Sequence, residues 1–316
     1  MGIFSSIDQM GGEFSSPINL ALGMFDGVHM GHQEVLKASA GRARDCNGKS
    51  VAFTFPAHPA SYLRPDLAPP LLMNPEQKAR MLHSYGVDHV IMRDFDEELS
   101  QIQAADFPTF LLERIPSLVG LSVGKNFRFG RGRDGDSAYL KEIGDKLGML
   151  VTVVDSRTME GTTVSSSRIR KALGSGEIKK VNEMLGRDYR IYGEVLPGKK
   201  MGRTIGFPTM NLLWNPESFP AYGVYAGKVK NVTIGSILPA VANYGIRPTV
   251  ENDISIPKLE IHVLKDLDIC NWKYGSDLEM SLNEFIRPEM KFKSVDDLRI
   301  QIKRDREIAQ KLDLRF

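Results

Sequence analysis

The first half of the chain alternates short apolar runs with longer stretches in which apolar residues recur at helical spacing. The apolar runs predict strands at residues 18–25, 50–55, 88–95, 118–124 and 149–155. The stretches between them predict helices at residues 33–44, 75–86, 106–115 and 138–148. This alternation is typical of a parallel sheet covered by helices on both faces. Such sheets bind ligands in the crevice at the carboxyl ends of their strands.

From about residue 187 the pattern changes to short strands separated by Gly, Pro and Asn. Strands are predicted at residues 189–196, 223–232, 237–245 and 258–264, and residues 209–213 are expected to be extended. The pattern favours an antiparallel barrel or sandwich. A terminal helix is predicted after Ser294, with Asp297 at the capping-box position. The chain of 316 residues is therefore divided into domains 1–186 and 187–316.

The net charge and the cysteines limit which partners and which cellular location can be expected. The net charge of +2 gives no strong field that would attract nucleic acid or a membrane surface, and neither partner is expected. Cys46 and Cys270 lie far apart in the sequence and show no metal-ligand spacing. A cytoplasmic location is expected for such a chain.

Two histidines stand at the first predicted strand-to-helix junction, in the segment GMFDGVHMGH (23–32). A helix N-terminus attracts phosphate, and Gly27 and Gly31 would let the backbone approach a ligand. The rings of His29 and His32 could then donate hydrogen bonds to phosphate oxygens in a transition state. Three other interpretations remain: hydrogen-bonded core histidines, two ligands of a metal, or exposed loop residues.

Two later segments of the chain also contain residues that could bind anions. The segment GKNFRFGRGRDGD (124–136) places three arginines among glycines after a strand, and VSSSRIRKAL (164–173) places serines before a helix with two arginines. The serines could be ordinary helix caps, and the arginine tract could be a short RNA-binding segment. There is no Walker A sequence, so an ATP site must have another design.

The second half contains two segments of possible chemical interest. In GKKMGRTIGFPTMNLL (198–213), alternation places Thr209 and Asn211 on one face of an extended segment, where their oxygens could hold Mg²⁺. The other interpretation is a Gly/Pro-rich loop leading into an ordinary strand. In KLEIHVL (258–264), Glu260 and His262 share one face. Glu260 could be a general base, or the face could simply be solvated.

The ordered combination of GMFDGVHMGH, TFPAHP (54–59), GKNFRFGRGRDGD and VSSSRIR resembles the bacterial bifunctional riboflavin kinase/FMN adenylyltransferases, or FAD synthetases. GRTIGFPTMN (202–211), ANYGIRPTV (242–250) and EFIRPEMKF (284–292) resemble the kinase half of that family. The resemblance implies an α/β fold with a Rossmann-like nucleotidyltransferase domain, followed by an antiparallel β-barrel kinase domain with a terminal helix. It implies phosphorylation of riboflavin to FMN and then adenylyl transfer to FMN.

The resemblance also assigns roles. His29 and His32 would be catalytic in adenylyl transfer, as would Glu260 in the kinase. The implied phosphate contacts of the adenylyltransferase are Gly23, Phe25, Gly31, Ser165, Ser166, Arg168 and Arg170. The implied flavin contacts are His58, Asn126, Arg128, Asp136 and Arg287. Gly206, Pro208, Thr209 and Asn211 would bind ATP in the kinase, and Thr209 and Asn211 would also bind Mg²⁺.

Several positions depart from the family pattern. The family usually has T-F-x-P-H-P where this chain has TFPAHP, S-S-T where it has Ser165-Ser166-Ser167, and alanine at Met210. Lysines occupy the glycine-rich flap, and the segment 268–275 is longer. The alternatives are a riboflavin kinase with a weakened adenylyltransferase, and a non-catalytic flavin-binding regulator. The expected partners are the small molecules ATP, riboflavin and FMN, and the chain is expected to be a monomer or weak homo-oligomer.

Overall fold

The structure is a computed structural model that describes residues 2–198, 202, 205–246, 257–265, 272 and 274–312. The chain divides into two compact units, Met1–Ser166 and Ser167–Phe316. They are called the sheet unit and the barrel unit below, and each is described by itself. The division lies near the start of a helix, about twenty residues before the boundary that the sequence predicts.

The sheet unit contains the alternating elements that the sequence predicts, together with several short ones. Its strands are β1 (Gly2–Phe4), β2 (Ile18–Leu22), β3 (Lys49–Thr54), β4 (His89–Met92), β5 (Leu118–Gly124), β6 (Arg128–Phe129), β7 (Gly135–Asp136), β8 (Leu150–Val154), β9 (Thr158–Met159) and β10 (Thr162–Thr163). Its helices are α1 (Ile7–Gly11), α2 (Met30–Asp45), α3 (Ala60–Leu63), α4 (Pro75–Ser84), α5 (Glu97–Gln101), α6 (Phe107–Arg114) and α7 (Ser137–Lys146), with 3₁₀ turns at Pro65–Leu67 and Arg131–Arg133.

Six strands form one parallel sheet in the order β1-β4-β3-β2-β5-β8. The chain runs from β2 outwards through β3 and β4, and then returns to the other side of β2 with β5. The order therefore reverses between β2 and β5, and ligands bind at such a switch point in open α/β sheets. The histidine segment follows β2 and the arginine tract follows β5, so both leave the sheet at this crevice.

Helices cover both faces of the parallel sheet because its strands are apolar on both sides. Leu20 and Leu22 of β2 point into a cluster that includes Leu111 of α6 and Leu140 of α7. Ala21, between them in sequence, belongs to a second cluster on the other face, which is completed mainly by α2 and α4. This two-sided burial confirms the predicted parallel sheet.

The barrel unit continues with α8 (Ser166–Gly174), α9 (Ile178–Leu185), β11 (Tyr189–Leu196), β12 (Met210–Leu213), β13 (Gly223–Asn231), β14 (Ile237–Gly245), β15 (Lys258–Val263), β16 (Asp277–Pro288) and α10 (Val295–Lys311). Its six strands form a closed antiparallel barrel in the order β11-β12-β15-β14-β13-β16. Pairing of β11 with β16 closes it, in a register that includes Tyr189 opposite Leu282. The sequence left a barrel and a sandwich open, and the structure is a barrel.

Helices attach to the outside of the barrel at two places. Helix α9 is tied to it by Asn182, whose amide donates to the carbonyl of Leu282 and accepts from the backbone of Tyr189. Helix α10 buries Ala309 against Val224 of β13 and other barrel residues. Ser294 caps α10 as predicted, since its hydroxyl accepts from the backbone N–H of Asp297.

Two elements differ from the sequence-based prediction. The strand predicted over 18–25 ends at Leu22, because the following residues form a turn with left-handed backbone at Phe25 (φ 50°) and Val28 (φ 39°). Strand β16, the longest in the described part of the chain at 12 residues, was missed, although Leu278, Met280 and Leu282 alternate within it. No helix among the described residues has the length and apolar character needed to cross a membrane.

Candidate active sites

The first site is the turn between β2 and α2, residues 23–29. Gly23 leaves the sheet with its N–H bonded to the carbonyl of Phe53 on β3. Phe25 and Val28 are buried although both have positive φ, and the backbone of Val28 donates to the carbonyl of Phe25 at 3.1 Å. Positive φ at bulky residues persists only where the surrounding structure fixes it, and this is common at functional turns.

His29 is the N-cap of α2, as expected of a residue where that helix begins. Its Nδ1 accepts a hydrogen bond from the backbone N–H of His32 at 3.3 Å. A neutral ring that accepts at Nδ1 carries its proton on Nε2, and Nε2–H is a donor suited to a phosphate oxygen. The capping bond therefore favours the tautomer of His29 that carries its proton on Nε2.

The two histidine rings stack on each other. Their centroids are 3.6 Å apart with planes at 17°, and the ring of His32 meets the edge of Phe25 at 5.4 Å. Gly31 permits this packing, because a Cβ there would lie 3.2 Å from Cε1 of His29. His29 is buried, at 7% exposure, so the exposed-loop interpretation is wrong for it.

The serine motif contacts the same turn. The hydroxyl of Ser166, the first residue of α8, donates to the backbone carbonyl of Asp26 at 2.8 Å. Ser165 is half-buried beside it. Arg168 and Arg170 lie further along α8 in the barrel unit, with the buried Ile169 between them. Their role as ATP contacts stays a prediction.

The expected flavin residues of the sheet unit lie beyond the carboxyl ends of β3 and β5. Asn126 follows β5, and its amide donates to Ser156 at 3.1 Å. Arg128 and Asp136 face each other across the β6–β7 hairpin with an ion pair of 3.6 Å, and Asp136 also caps α7. His58 accepts at Nδ1 from the backbone N–H of Ala60. These residues emerge from strands that flank β2 in the sheet.

The second site is a cavity of about 240 Å³ in the barrel unit. The barrel strands form one wall, and α10 with the preceding segment forms the other. The cavity brings together Thr209, Glu260 and Arg287, three of the predicted kinase residues. It adds residues that the sequence analysis did not assign, namely Asn243, His262, Asp305 and Arg306.

Strand register explains why Glu260 and Asn211 are neighbours. Asn211 of β12 pairs directly with Glu260 of β15, and Glu260 pairs on its other side with Asn243 of β14. Gly198 packs against the amide of Asn211 so closely that a Cβ there would lie 2.1 Å from Nδ2. Gly198 therefore lies directly against Asn211, one of the predicted ATP residues.

His262 fixes the segment that leads into Thr209. Its Nδ1–H donates to the carbonyl of Pro208 at 2.8 Å, which leaves Nε2 as an acceptor, and that buried atom has no hydrogen-bond partner among the described residues. Burial lowers the pKa of His262, and the nearby charge of Arg306 lowers it further.

Gly206 lies at an exposed bend (φ 86°) just before Phe207, whose ring meets the edge of His262.

Arg287 is held by the carboxylate of Asp305, which no sequence motif marks. Its Nε donates to Oδ1 of Asp305 at 3.0 Å and its Nη2 to Oδ2 at 2.8 Å. The Asp305 side chain is 3% exposed and that of Arg287 is 14% exposed. This fork joins α10 to β16 across the cavity wall. Asp305 is one acid among many charged residues in α10, so no sequence pattern marked it.

Some predicted features lie outside the described residues. They are residues 247–250 of the segment ANYGIRPTV, the flap lysines 199 and 200, and most of the segment 268–275. Among the residues that the structure describes, no group of three His, Cys, Asp or Glu side chains could hold a metal. The hydroxyl of Thr209 and the amide oxygen of Asn211 are hard donors that suit a Mg²⁺ ion held chiefly by phosphates and water.

Comparisons with known proteins agree with this arrangement. The family model for FAD synthetase matches residues 13–168, and the model for riboflavin kinase matches residues 185–312. Bifunctional riboflavin kinase/FMN adenylyltransferases from Haemophilus influenzae and Escherichia coli K12 are each 36% identical, covering 92% and 90% of both chains respectively. A crystal structure from Streptococcus pneumoniae, described as a macrolide-efflux protein, matches with a TM-score of 0.86 at 29% identity, covering 98% of this chain and 99% of that one. The chain belongs to the bifunctional riboflavin kinase/FMN adenylyltransferase family.

Proposed function

We propose a division of labour between the two units of this bifunctional flavin-cofactor enzyme. The barrel unit phosphorylates riboflavin with ATP to give FMN, and the sheet unit transfers AMP from a second ATP to FMN, giving FAD and pyrophosphate. The observation that carries the proposal is that each unit has its own group of side chains suited to one reaction. His29 and His32 stack at a helix start in one, and Thr209 and Glu260 line a common cavity in the other.

In the barrel unit, Glu260 is the proposed general base. It takes the proton from the 5′-hydroxyl of the ribityl chain, and the resulting oxygen attacks the γ-phosphate of ATP, with ADP as the leaving group. Thr209 and Asn211 position the ATP phosphates, while Gly206 and Pro208 shape the loop around them. Arg287, fixed by Asp305, lines the same cavity and is the proposed flavin contact there.

Mg²⁺ is proposed to accompany ATP in the barrel unit, held by Thr209 and Asn211. When bound, the ion neutralises charge on the phosphates. The support is the nature of these two oxygen donors and their position beside Glu260, which pairs directly with Asn211.

In the sheet unit, the phosphate of FMN is the nucleophile and is already anionic, so the reaction needs no general base. It attacks the α-phosphate of ATP, and the bond to pyrophosphate breaks. Nε2–H of His29, together with His32, stabilises the charge that develops on the phosphates. Ser165, Ser166, Arg168 and Arg170 are the proposed second phosphate-binding element. His58, Asn126, Arg128 and Asp136 are the proposed flavin contacts.

We also propose domain bounds and a cellular setting for the enzyme. The functional domains are 1–186 and 187–316, with the second starting just before β11, although α8 and α9 group with the barrel by compactness. We place the enzyme in the cytoplasm as a monomer or weak homo-oligomer that has no nucleic-acid or membrane partner. The balanced charge and the two distant cysteines support this setting.

A chromatographic assay tests the two activities. The purified chain is incubated with riboflavin and Mg²⁺–ATP, and FMN followed by FAD should form. Accumulation of FMN without FAD, under conditions where added FMN is also not adenylylated, would contradict the adenylyl transfer. That result would favour the alternative of a kinase with a weakened adenylyltransferase. The altered TFPAHP segment is the reason for considering this alternative. Formation of neither product would leave a flavin-binding protein.

A further inference from the structure

A buried lysine lies beneath the first site. Lys78 on α4 has no exposed surface, whereas Arg80, two residues later on the same helix, is exposed and pairs with Glu76. Burying an amino group is unfavourable unless it forms good hydrogen bonds. Neither the adenylyl transfer described above nor the motifs in the sequence give Lys78 a role.

The amino group of Lys78 bridges the carboxyl ends of two neighbouring strands. It donates to the backbone carbonyl of Phe55, just beyond β3, at 2.6 Å and to that of Met24, just beyond β2, at 3.3 Å. The carbonyl of Met24 also accepts from the buried hydroxyl of Thr54 at 2.9 Å. Two side chains thus fix the orientation of the peptide group that leads into the histidine turn.

That orientation matters because the next residues have unusual backbone angles. Phe25, Gly27 and Val28 all have positive φ, and together they place His29 at the cap of α2. A turn of this kind keeps its shape only when the groups around it hold it. Phe55 likewise starts the segment that carries His58. The amino group of Lys78 therefore lies under both the proposed nucleotide segment and the proposed flavin segment.

We infer that Lys78 is a positioning residue for adenylyl transfer. It aligns the histidine turn with the segment 55–58, so that the α-phosphate of ATP and the phosphate of FMN meet in reacting geometry. It acts through the carbonyls of Met24 and Phe55, and Thr54 supports the first of these. The inference rests on the proposed AMP transfer in the sheet unit.

The test compares Lys78→Met with Arg80→Met in the full-length chain. Each variant is assayed for kcat and for the KM values of ATP and FMN in FAD formation. In Lys78→Met, kcat should fall about 100-fold, the effect of misplacing reactants by about 1 Å, and both KM values should rise. Arg80→Met should match the unaltered chain. Kinase activity should stay within about twofold in both variants and serves as an internal control for the total amount of protein.

A merely structural role would lower the folded fraction, and with it kcat, while the remaining molecules kept their KM values. A folded Lys78→Met variant with kcat and both KM values within about threefold of the unaltered chain would overturn the inference. If the unaltered chain formed no FAD, the proposed function would fail instead, so the two failures are distinguishable.

Thr54→Val tests the same mechanism if Lys78→Met does not fold. The substitution removes only the hydroxyl that shares the Met24 carbonyl and keeps the size of the side chain. It should raise the KM of ATP and lower kcat for FAD formation several-fold, with the kinase unchanged. Unaltered FAD kinetics in Thr54→Val would overturn the role assigned to the Met24 carbonyl, and with it the inference.

Discussion

The two sites of this chain are built in different ways. In the sheet unit, the groups come from loops at the carboxyl ends of parallel strands, where the strand order reverses between β2 and β5. In the barrel unit, they come from neighbouring antiparallel strands and from the helix α10, which joins the wall of the cavity. A contiguous motif can therefore identify the first site, whereas the second depends on register between strands that are distant in sequence.

One histidine in each site also shows a difference, since the Nδ1 atoms of His29 and His262 have opposite hydrogen-bonding roles. His29 accepts at Nδ1 from the backbone, which places the proton on Nε2 and provides a donor for phosphate. His262 donates from Nδ1 to the carbonyl of Pro208, which leaves Nε2 as an acceptor. One backbone contact in each unit thus gives the two imidazoles opposite hydrogen-bonding roles at Nδ1. Because each proposed site has its own side chains, a substitution in one site should leave the activity of the other unchanged.

Glu260→Gln should give the largest effect in the barrel unit. The amide keeps the size of the side chain but cannot take the proton of the riboflavin hydroxyl. General-base catalysis contributes about 10²–10⁴-fold, so kcat for FMN formation should fall by that order. FAD formation from added FMN should be unaffected. Measurement of both rates on one preparation checks this, and retention of the kinase rate would remove Glu260 from its proposed role.

The double substitution His29→Ala, His32→Ala should give the reverse result. Loss of preorganised donors to a transition state costs about 10²–10³-fold each in comparable sites. FAD formation should therefore fall at least about 100-fold, while riboflavin is still converted to FMN. The sheet unit should remain folded by circular dichroism. A parallel loss of kinase activity would contradict the independence of the two sites.

Asp305→Ala should destabilise the barrel unit without unfolding the sheet unit. It leaves the guanidinium of Arg287 largely buried beside an empty position, and breaking such a pair costs about 3–5 kcal/mol. At about 2–4 °C per kcal/mol for a unit of this size, the barrel transition in calorimetry should fall by roughly 10 °C. Asp296→Ala on the same helix is the control, since that side chain is 82% exposed. Equal transitions in the two variants would show that the fork contributes little.

The sequence predicted most of the fold because the patterns were strongly periodic. Strands β5, β11 and β14 have the predicted bounds, and the cap at Ser294 is confirmed. The strand ending at Phe25 was predicted too long, because apolar content alone does not reveal a turn with positive φ. Strand β16 was missed although its residues alternate.

The sites were less completely predictable from the sequence. His29, His32, Thr209 and Glu260 were proposed from motifs and alternation, and their roles stay predictions. Lys78 and Asp305 were not found, since each is one charged residue in an amphipathic helix, and only the tertiary structure shows that it is buried. Lys78 contacts backbone carbonyls, and Asp305 contacts the side chain of Arg287. In both cases the partner is far away in sequence, so no local pattern reveals the contact.

Acid should weaken the barrel unit through His262, and this is the smallest effect expected. His262 is the only histidine after residue 166. Its pKa is lowered by burial and by Arg306 of α10, with the carbonyl of Pro208 acting in the opposite direction. Its contribution to stability is full above the unfolded-state pKa of about 6.5 and declines as the pH falls through the lower folded-state pKa. The barrel transition should therefore move to lower temperature as the pH falls below about 7, and His262→Gln should flatten that dependence. An identical pH slope in the variant would assign the acid sensitivity to the carboxylates of the barrel unit instead.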